Sequence, residues 1–298
     1  MWRVLELREK GPATVPFCDS MGNLIWLASY PKSGNTWLRA FLHNLMLKTD
    51  QPHDINRLGE VTAGDVEPGL YEEIAGKPAS DLTVNEIAAL RVRVQERLAA
   101  RHEGSRFAKT HSAVMNVAGH PTFNMAVTAG AIYVVRNPLD VAVSFSHHLN
   151  EPVGRVIDVM AHDYVHTSTV ADMMPDFLGS WSQHVESWTG RPNPGLHVMR
   201  YEDMLEQPAR TFGELVRFLG LEVERKRVDQ AIRHASFKVL KRQEERAGFR
   251  EKSPHAARFF RSGTKDQWQG VLTADQVAQL VAAHRGQMAR FGYLAEDT

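Results

Sequence analysis

The sequence predicts an α/β protein, one domain with a central parallel β-sheet flanked by helices, and three observations carry that expectation. Short apolar runs rich in β-formers recur, each followed by a polar loop and then by apolar residues at helical spacing. A chain of 298 residues with 43% hydrophobic content can bury a sizeable core. No internal repeat or low-complexity tract divides it, so residues 1–298 read as a single domain.

The elements follow in order. Leu24–Tyr30 (LIWLASY) reads as a buried strand, PKSGNT as a loop, and WLRAFLHNLMLK from Trp37 as a helix. From Thr49 to Pro78 the chain is rich in Gly, Pro, Asp and Asn and reads as a long irregular excursion of the kind that covers substrates in α/β enzymes. A helix is expected over Val84–His102, then a short strand over Arg106–His111. Ala131–Asn137 (AIYVVRN) is a second buried strand, and Pro138 suits the first turn of the helix after it, PLDVAVSFSHHL. Val153–His166 and Asp176–Trp188 read as helices, and Gly195–Tyr201 (GLHVMRY) as a third clear strand. A helix from Glu202 ends near Gly220, Phe249–Val271 is basic with little periodicity, and Ala274–Phe291 is helical again. The mixed charge run Lys238–Arg250 reads as a solvated helix and loop.

Composition excludes several classes of function. Thirty-five Lys+Arg against thirty-five Asp+Glu give no net charge, which argues against charge-driven binding of nucleic acid or an anionic membrane surface. Anion recognition must be local. Cys18 is the only cysteine, so no intrachain disulfide or cysteine-based zinc site can form, and a reducing compartment is the default. Charges at Arg3, Glu6, Arg8, Glu9 and Lys10 interrupt any signal peptide, and no run of 18 apolar residues occurs. The expectation is a cytoplasmic protein that does not span a membrane.

Chemistry concentrates in two places. Tyr30-Pro31-Lys32-Ser33-Gly34-Asn35-Thr36-Trp37 lies between a strand and a helix, where backbone N–H groups and a positive helix end face an anion. Gly34 lets the backbone approach, Lys32 adds charge, and Ser33 and Thr36 add hydroxyl donors. The competing reading of the segment is a polar connection with a helix cap. It is not a Walker A motif, because Lys32 precedes Gly34 instead of following the last glycine. Arg136, at the carboxyl end of a strand, can grip a phosphate bidentately with Ser144 adding a donor, or can pair with Asp140. His162 and His166 lie four apart, but with no third ligand in place no metal site is assigned; His147-His148 are also left unassigned.

Taken together, the YPKSGNTW loop, Lys109-Thr110-His111, VVRNPLDVAVSFSHH, the RYEDM stretch from Arg200 and FFRSGTKDQW resemble sulfotransferases that use 3′-phosphoadenosine 5′-phosphosulfate (PAPS), in order and at similar spacing. The resemblance spans residues 24 to about 275, the expected core, with the C-terminal helix 274–291 beyond it. It implies a P-loop-like sulfotransferase fold, PAPS as co-substrate with 3′-phosphoadenosine 5′-phosphate (PAP) as product, and no metal. By that resemblance Lys32, Ser33, Gly34, Asn35 and Thr36 hold the 5′-phosphate with Trp37 near the adenine, while Arg136 and Ser144 match the 3′-phosphate site. Tyr201, Ser236 and Phe237 match adenine-side contacts, and Phe260, Arg261, Ser262 and Gly263 match the loop that closes over the nucleotide. His111 falls on the catalytic base, with Lys109, Lys32 and Ser144 beside the reaction centre. Asn35 and Ala235 stand where threonine is common and Ser262 where lysine is common. The short dimer motif is matched at Thr273 only, which leaves a homodimer open. The implied reaction transfers a sulfuryl group to a hydroxyl, ahead of an amine, of a small-molecule acceptor. The loops from Thr49 to Gly76 and Asn150 to Asp176 are the expected acceptor walls. A P-loop kinase and a non-catalytic nucleotide-binding protein are the competing readings; the first lacks its magnesium-binding residue in register and the second leaves Lys109 and His111 without a task.

Overall fold

The first apolar run forms β1 (Asn23–Ser29), and its alternating side chains serve both faces of a sheet at once. Leu24, Trp26 and Ala28 enter one core cluster while Ile25 and Leu27 enter the other. A strand so buried cannot lie at an edge, and β1 is central. This computed structural model describes residues 23–47, 50–101, 103–163, 165–167 and 173–294. The readings based on Cys18 and the charged N-terminus lie outside the described residues.

In chain order β1 leads into α1 (Asn35–Met46), β2 (Thr62–Gly64), α2 (Pro68–Ala75), α3 (Val84–Ala100) and β3 (Ser105–Thr110). A two-residue hairpin, β4 (Asn116–Val117) and β5 (His120–Pro121), precedes β6 (Thr128–Val135), α4 (Pro138–Leu149), α5 (Val153–Ala161), α6 (Trp181–Thr189) and β7 (Leu196–Arg200). The chain finishes with α7 (Tyr201–Glu206), α8 (Pro208–Phe218), α9 (Arg225–His234), α10 (Phe237–Ala247) and α11 (Ala274–Arg290). The main sheet has the order β2-β3-β1-β6-β7 and every pairing in it is parallel. Helices α2 to α6 and α11 contribute Tyr71, Val94, Val141, Val156, Trp181 and Leu280 to one face. On the other face α1 and α8 to α10 contribute Phe41, Phe212, Val228 and Leu240. Each such large side chain, fully buried, contributes roughly 1.5–3 kcal/mol. Among the described residues no helix is long and apolar enough to cross a membrane.

Four local expectations need correction. The excursion after Thr49 is not irregular: it contains a 3-10 turn (Ile55–Glu60), edge strand β2 and helix α2. Three residues carry no strand signal of their own, and β2 exists because β3 offers it a ladder at Thr62↔Phe107 and Gly64↔Lys109. The helix expected to reach His166 ends at Ala161, so His162 and His166 share no helical face, and His166 instead bridges to Phe177. The helix expected from Asp176 begins at Trp181, where Ser180 and Gln183 form a capping box. The single helix from Glu202 is two, broken where Pro208 withdraws a donor. Helix α9 was not anticipated, its charged sequence showing only a thin apolar stripe at Val228 and Ala231. The run from Lys238 is the expected helix, α10.

Candidate active site

Because β1, β3, β6 and β7 are parallel, their carboxyl ends open at one edge of the sheet, where open α/β sheets bind ligands. The loop Tyr30–Gly34 follows β1, His111 follows β3, Arg136 follows β6 and Tyr201 follows β7. Strand order alone thus places the loop between the base candidate and the arginine.

Gly34, the N-cap of α1, has φ 110°, and a Cβ there would lie 2.7 Å from Tyr201 Cδ2. Only glycine allows the turn and the tyrosine together. The Asn35 and Thr36 amides that open α1 have no carbonyl ahead of them to bond, the Trp37 amide already donating to Gly34 O at 3.0 Å. The buried Ser33 Oγ and the indole N–H of Trp37 have no partner among the described residues, so both are free for a ligand. The Asn35 side-chain amide donates to Leu27 O at 2.8 Å and to Ser29 Oγ at 3.4 Å, pinning the helix start to β1. Its backbone N–H is what it leaves for an anion. Trp37 packs edge-on against Tyr201, with ring centres 5.8 Å apart.

Lys32 has φ 67° and its ammonium lies 4.0 Å from the centre of the Phe259 ring. It also stands 3.4 Å from His148 Nδ1. Burial, with Arg136 and Lys109 adding like charge, lowers its pKa from 10.5 to about 7, so the full charge read from the sequence is only partly present at neutral pH. Burial and the nearby Lys32 hold His148 down to about 3, so its ring is a neutral acceptor. His148, which the sequence leaves unassigned, lies against Lys32 in the structure; its helical phase, four residues after Ser144, is the signal that places it there.

Arg136 is buried and its guanidinium donates to Lys32 O at 2.9 Å and Thr264 O at 3.2 Å, while lying 4.1 Å from the centre of the Tyr201 ring. Its Nε has no partner among the described residues. Asp140 is 4.0 Å from Arg136, but its oxygens accept the Asp266 and Trp268 amides at 2.8 and 3.1 Å, so its first task is to hold the C-terminal segment. Glu244 does the same for that segment from α10, accepting the Phe259 and Phe260 amides at 2.7 and 2.8 Å. Neither anchor was read from the sequence. Between them lie Arg261, bonded to Gln267, and Ser262, bonded to Thr264. Gly263, φ 67°, lies against the Phe237 ring so closely that a Cβ would overlap it. Ser236 caps α10 without a side-chain bond, and Ser144 is half-buried on α4. Lys109 lies at the end of β3 and Ser144 in the second turn of α4, while the other expected residues lie on the loops and helix starts that follow the strands or on the C-terminal segment held by Asp140 and Glu244.

His111 Nδ1 lies 2.8 Å from Ser29 O, and a carbonyl can only accept, so Nδ1 carries the proton and Nε2 presents a lone pair. Burial and the Lys109 charge lower its pKa from 6.5 to about 4 against the opposing pull of Asp176. The ring is neutral through the physiological range. His184 Nε2 donates to His111 O at 2.9 Å, and the His184 Nδ1 accepts from Tyr133 at 2.8 Å. Lys109 makes no hydrogen bond or ion pair among the described residues, which leaves its ammonium available beside the imidazole.

A turn with unbonded donors at a helix start, an arginine one strand away and a neutral imidazole on the other side give this sheet edge the donor and acceptor set of an α/β enzyme site that suits an anion. Residues 23–292 match the sulfotransferase domain model, and the chain belongs to that family of enzymes. It is 27% identical over 267 residues to luciferin sulfotransferase of Photinus pyralis, covering 85% of this chain and 68% of that protein. It is 26% identical to sulfotransferase 1A1 of Canis lupus familiaris, covering 89% and 83%. In fold it resembles mouse sulfotransferase SULT7A1 complexed with PAP (TM-score 0.59, 20% identity, 91% and 85% covered). It equally resembles retinol dehydratase in complex with retinol and PAP (TM-score 0.59, 18% identity, 95% and 83% covered).

Proposed function

We propose that this protein transfers the sulfuryl group of PAPS to a hydroxyl of a small-molecule acceptor, with His111 as general base. The observation that carries the reading is the pairing of Lys32 and His111 just beyond the carboxyl ends of adjacent parallel strands, one offering a cation, the other an imidazole lone pair at Nε2. The PAP held by relatives of like fold supports the nucleotide assignment.

The residues present fit that nucleotide. Among the described residues, Ser33 Oγ, Trp37 Nε1 and Arg136 Nε are polar atoms without partners at one sheet edge, as expected of groups that await an anion and a base. Lys32 and the first amides of α1 would hold the 5′-phosphate; Arg136, Ser144 and Arg261 the 3′-phosphate; Trp37, Tyr201, Ser236 and Phe237 the adenine; and Phe260 to Gly263 the cover. His111 Nε2 takes the acceptor proton as the acceptor oxygen bonds to sulfur, while the bond from sulfur to the leaving phosphate oxygen breaks. Lys32 and Lys109 stabilise the charge that grows on that oxygen, a task that a lysine performs without a metal. Positioning in line supplies much of the rest.

Thermal protection separates this reading from a kinase. PAP should raise the Tm more than AMP does, and ATP with magnesium should add little. Turnover with PAPS and a panel of alcohols and phenols should persist in EDTA; protection by ATP-magnesium alone, or activity restored only by magnesium, would refute the proposal.

A further inference from the structure

Asp176 lies in an extended segment that threads beneath the His111 loop, at a position the sequence pattern suggested was helical. Phe177 O accepts the Ala113 amide at 2.7 Å, and Phe177 N donates to Ser112 Oγ at 3.1 Å. One oxygen of Asp176, Oδ1, accepts both the backbone N–H of His111 and the hydroxyl of Ser112, each at 3.1 Å. The other oxygen has no protein donor among the described residues.

Charge matching decides what this carboxylate does. The fully buried Arg91 lies 3.2 Å from Asp65 Oδ2, and Gln95 donates to the same oxygen at 2.8 Å. That arginine therefore has its own counter-ion, and it uses its other nitrogen to hold Pro175 O. Asp176, itself buried, is the unmatched negative charge of the cluster. Its attractive partners in order are His111, Lys109 and Arg91, and together they outweigh burial and keep it ionised.

The groups facing His111 sharpen the point. Lys109 on its own strand and Lys32 on the β1 loop both oppose a proton on the ring. His148, from α4, is neutral, and His184, from α6, is spent on the His111 carbonyl. Glu251 is within electrostatic reach but is claimed by Arg39 at 2.7 Å. Asp176 is the one free anion among them.

We propose that Asp176 is a positioning residue for His111: it fixes the backbone that aims the ring and supplies the counter-charge for the imidazolium formed when Nε2 accepts the acceptor proton. The proposal rests on the reading of His111 as the base. It adds a residue from a different loop, held in place by Arg91 and Ser112 rather than by any contact with the nucleotide.

Asp176→Asn keeps the acceptor oxygen for both donors and removes the charge. Asp176 Oδ1 lies 3.1 Å from the His111 backbone N, and a nearby opposite charge moves an imidazole pKa by about one unit or more. The variant should bind PAP with unchanged affinity and lose about three- to tenfold in single-turnover rate with an unactivated alcohol, losing less with an acidic phenol that needs little base. The acid limb of its rate profile should move about one pH unit lower, and Asp176→Glu should recover part of the loss. Equal losses on alcohol and phenol, or an unmoved acid limb, would overturn the counter-charge role. Proton NMR titration of the His111 ring, with and without PAP, tests the same point independently of turnover, since Asp176→Asn must lower that pKa. If wild type transfers sulfuryl to no acceptor yet the ring titration shifts as stated, the failure lies with the proposed reaction and not with Asp176. If Asp176→Asn fails to fold while Asp176→Glu folds, the Glu variant must retain the wild-type ring pKa within about half a unit, and a larger fall refutes the proposal.

Discussion

The lowered pKa of Lys32 makes nucleotide affinity depend on pH in a defined direction. Its ammonium is pressed between the Phe259 ring and the His148 nitrogen, with Arg136 and Lys109 repelling it, and titrates at about 7 instead of 10.5. An arriving 5′-phosphate is a counter-ion that restores the ordinary value, so above pH 7 binding must first charge the lysine. The sign follows: below about pH 7 the charge is already present and affinity is insensitive to this group, and above it affinity falls as pH rises. At pH 9, two units above that value, only about one lysine in a hundred is charged in the free protein, a cost near two decades in Kd or ~2.7 kcal/mol. Isothermal titration of PAP from pH 6 to 9, in buffers of different ionisation enthalpy, should show affinity falling towards that limit with uptake approaching one proton per PAP. Ionisation of the PAP phosphates runs the opposite way at the low end and is shared by Lys32→Met, which should bind weakly at every pH and take up no such proton. Proton uptake that survives in Lys32→Met, or none in wild type at pH 9, would refute the reasoning.

Arg136→Ala should weaken PAP by roughly 2 to 4 kcal/mol and abolish discrimination against AMP in equilibrium binding, the range expected when a buried anion loses its charged partner. The same variant frees Lys32 O and Thr264 O, so its Tm should also fall in the absence of nucleotide. His111→Ala should bind PAP normally and lose about 10²- to 10⁴-fold in single-turnover rate with an alcohol. With wild type, kcat/KM on an alcohol should stay level through pH 6.5 and fall only as pH approaches 4, because burial and Lys109 have already lowered the His111 pKa; an acid limb centred at 6.5 would place the base elsewhere. Gly34→Ala forces a side chain into φ 110° and into the Tyr201 ring, so PAP binding should drop by an order of magnitude or more while the sheet persists, as read by circular dichroism.

The local signals in this sequence were those a few residues can carry alone. The LIWLASY and AIYVVRN runs read as buried strands, and the PKSGNT turn between a strand and a helix carries the amides, hydroxyls and cation that suit an anion. The order of the motifs named the family and pointed to Lys32, His111 and Arg136. Strand β2 was illegible because its three residues become a strand only when β3 supplies the hydrogen bonds. Asp140 and Glu244 were invisible as anchors because each meets its backbone amides from a segment at least 15 residues away in sequence. Asp176 was misread as helical because its apolar neighbours Phe177 and Leu178 pack into the core from an extended segment as readily as from a helix. The protonation states were decided by tertiary structure as well. Composition assigns Lys32 a charge and His111 a pKa near 6.5; burial, which depends on which distant segments cover a group, moves them to about 7 and about 4. Residue identity and spacing thus determined the chemistry available to this chain, and long-range packing decided the charge each group carries when the reaction needs it.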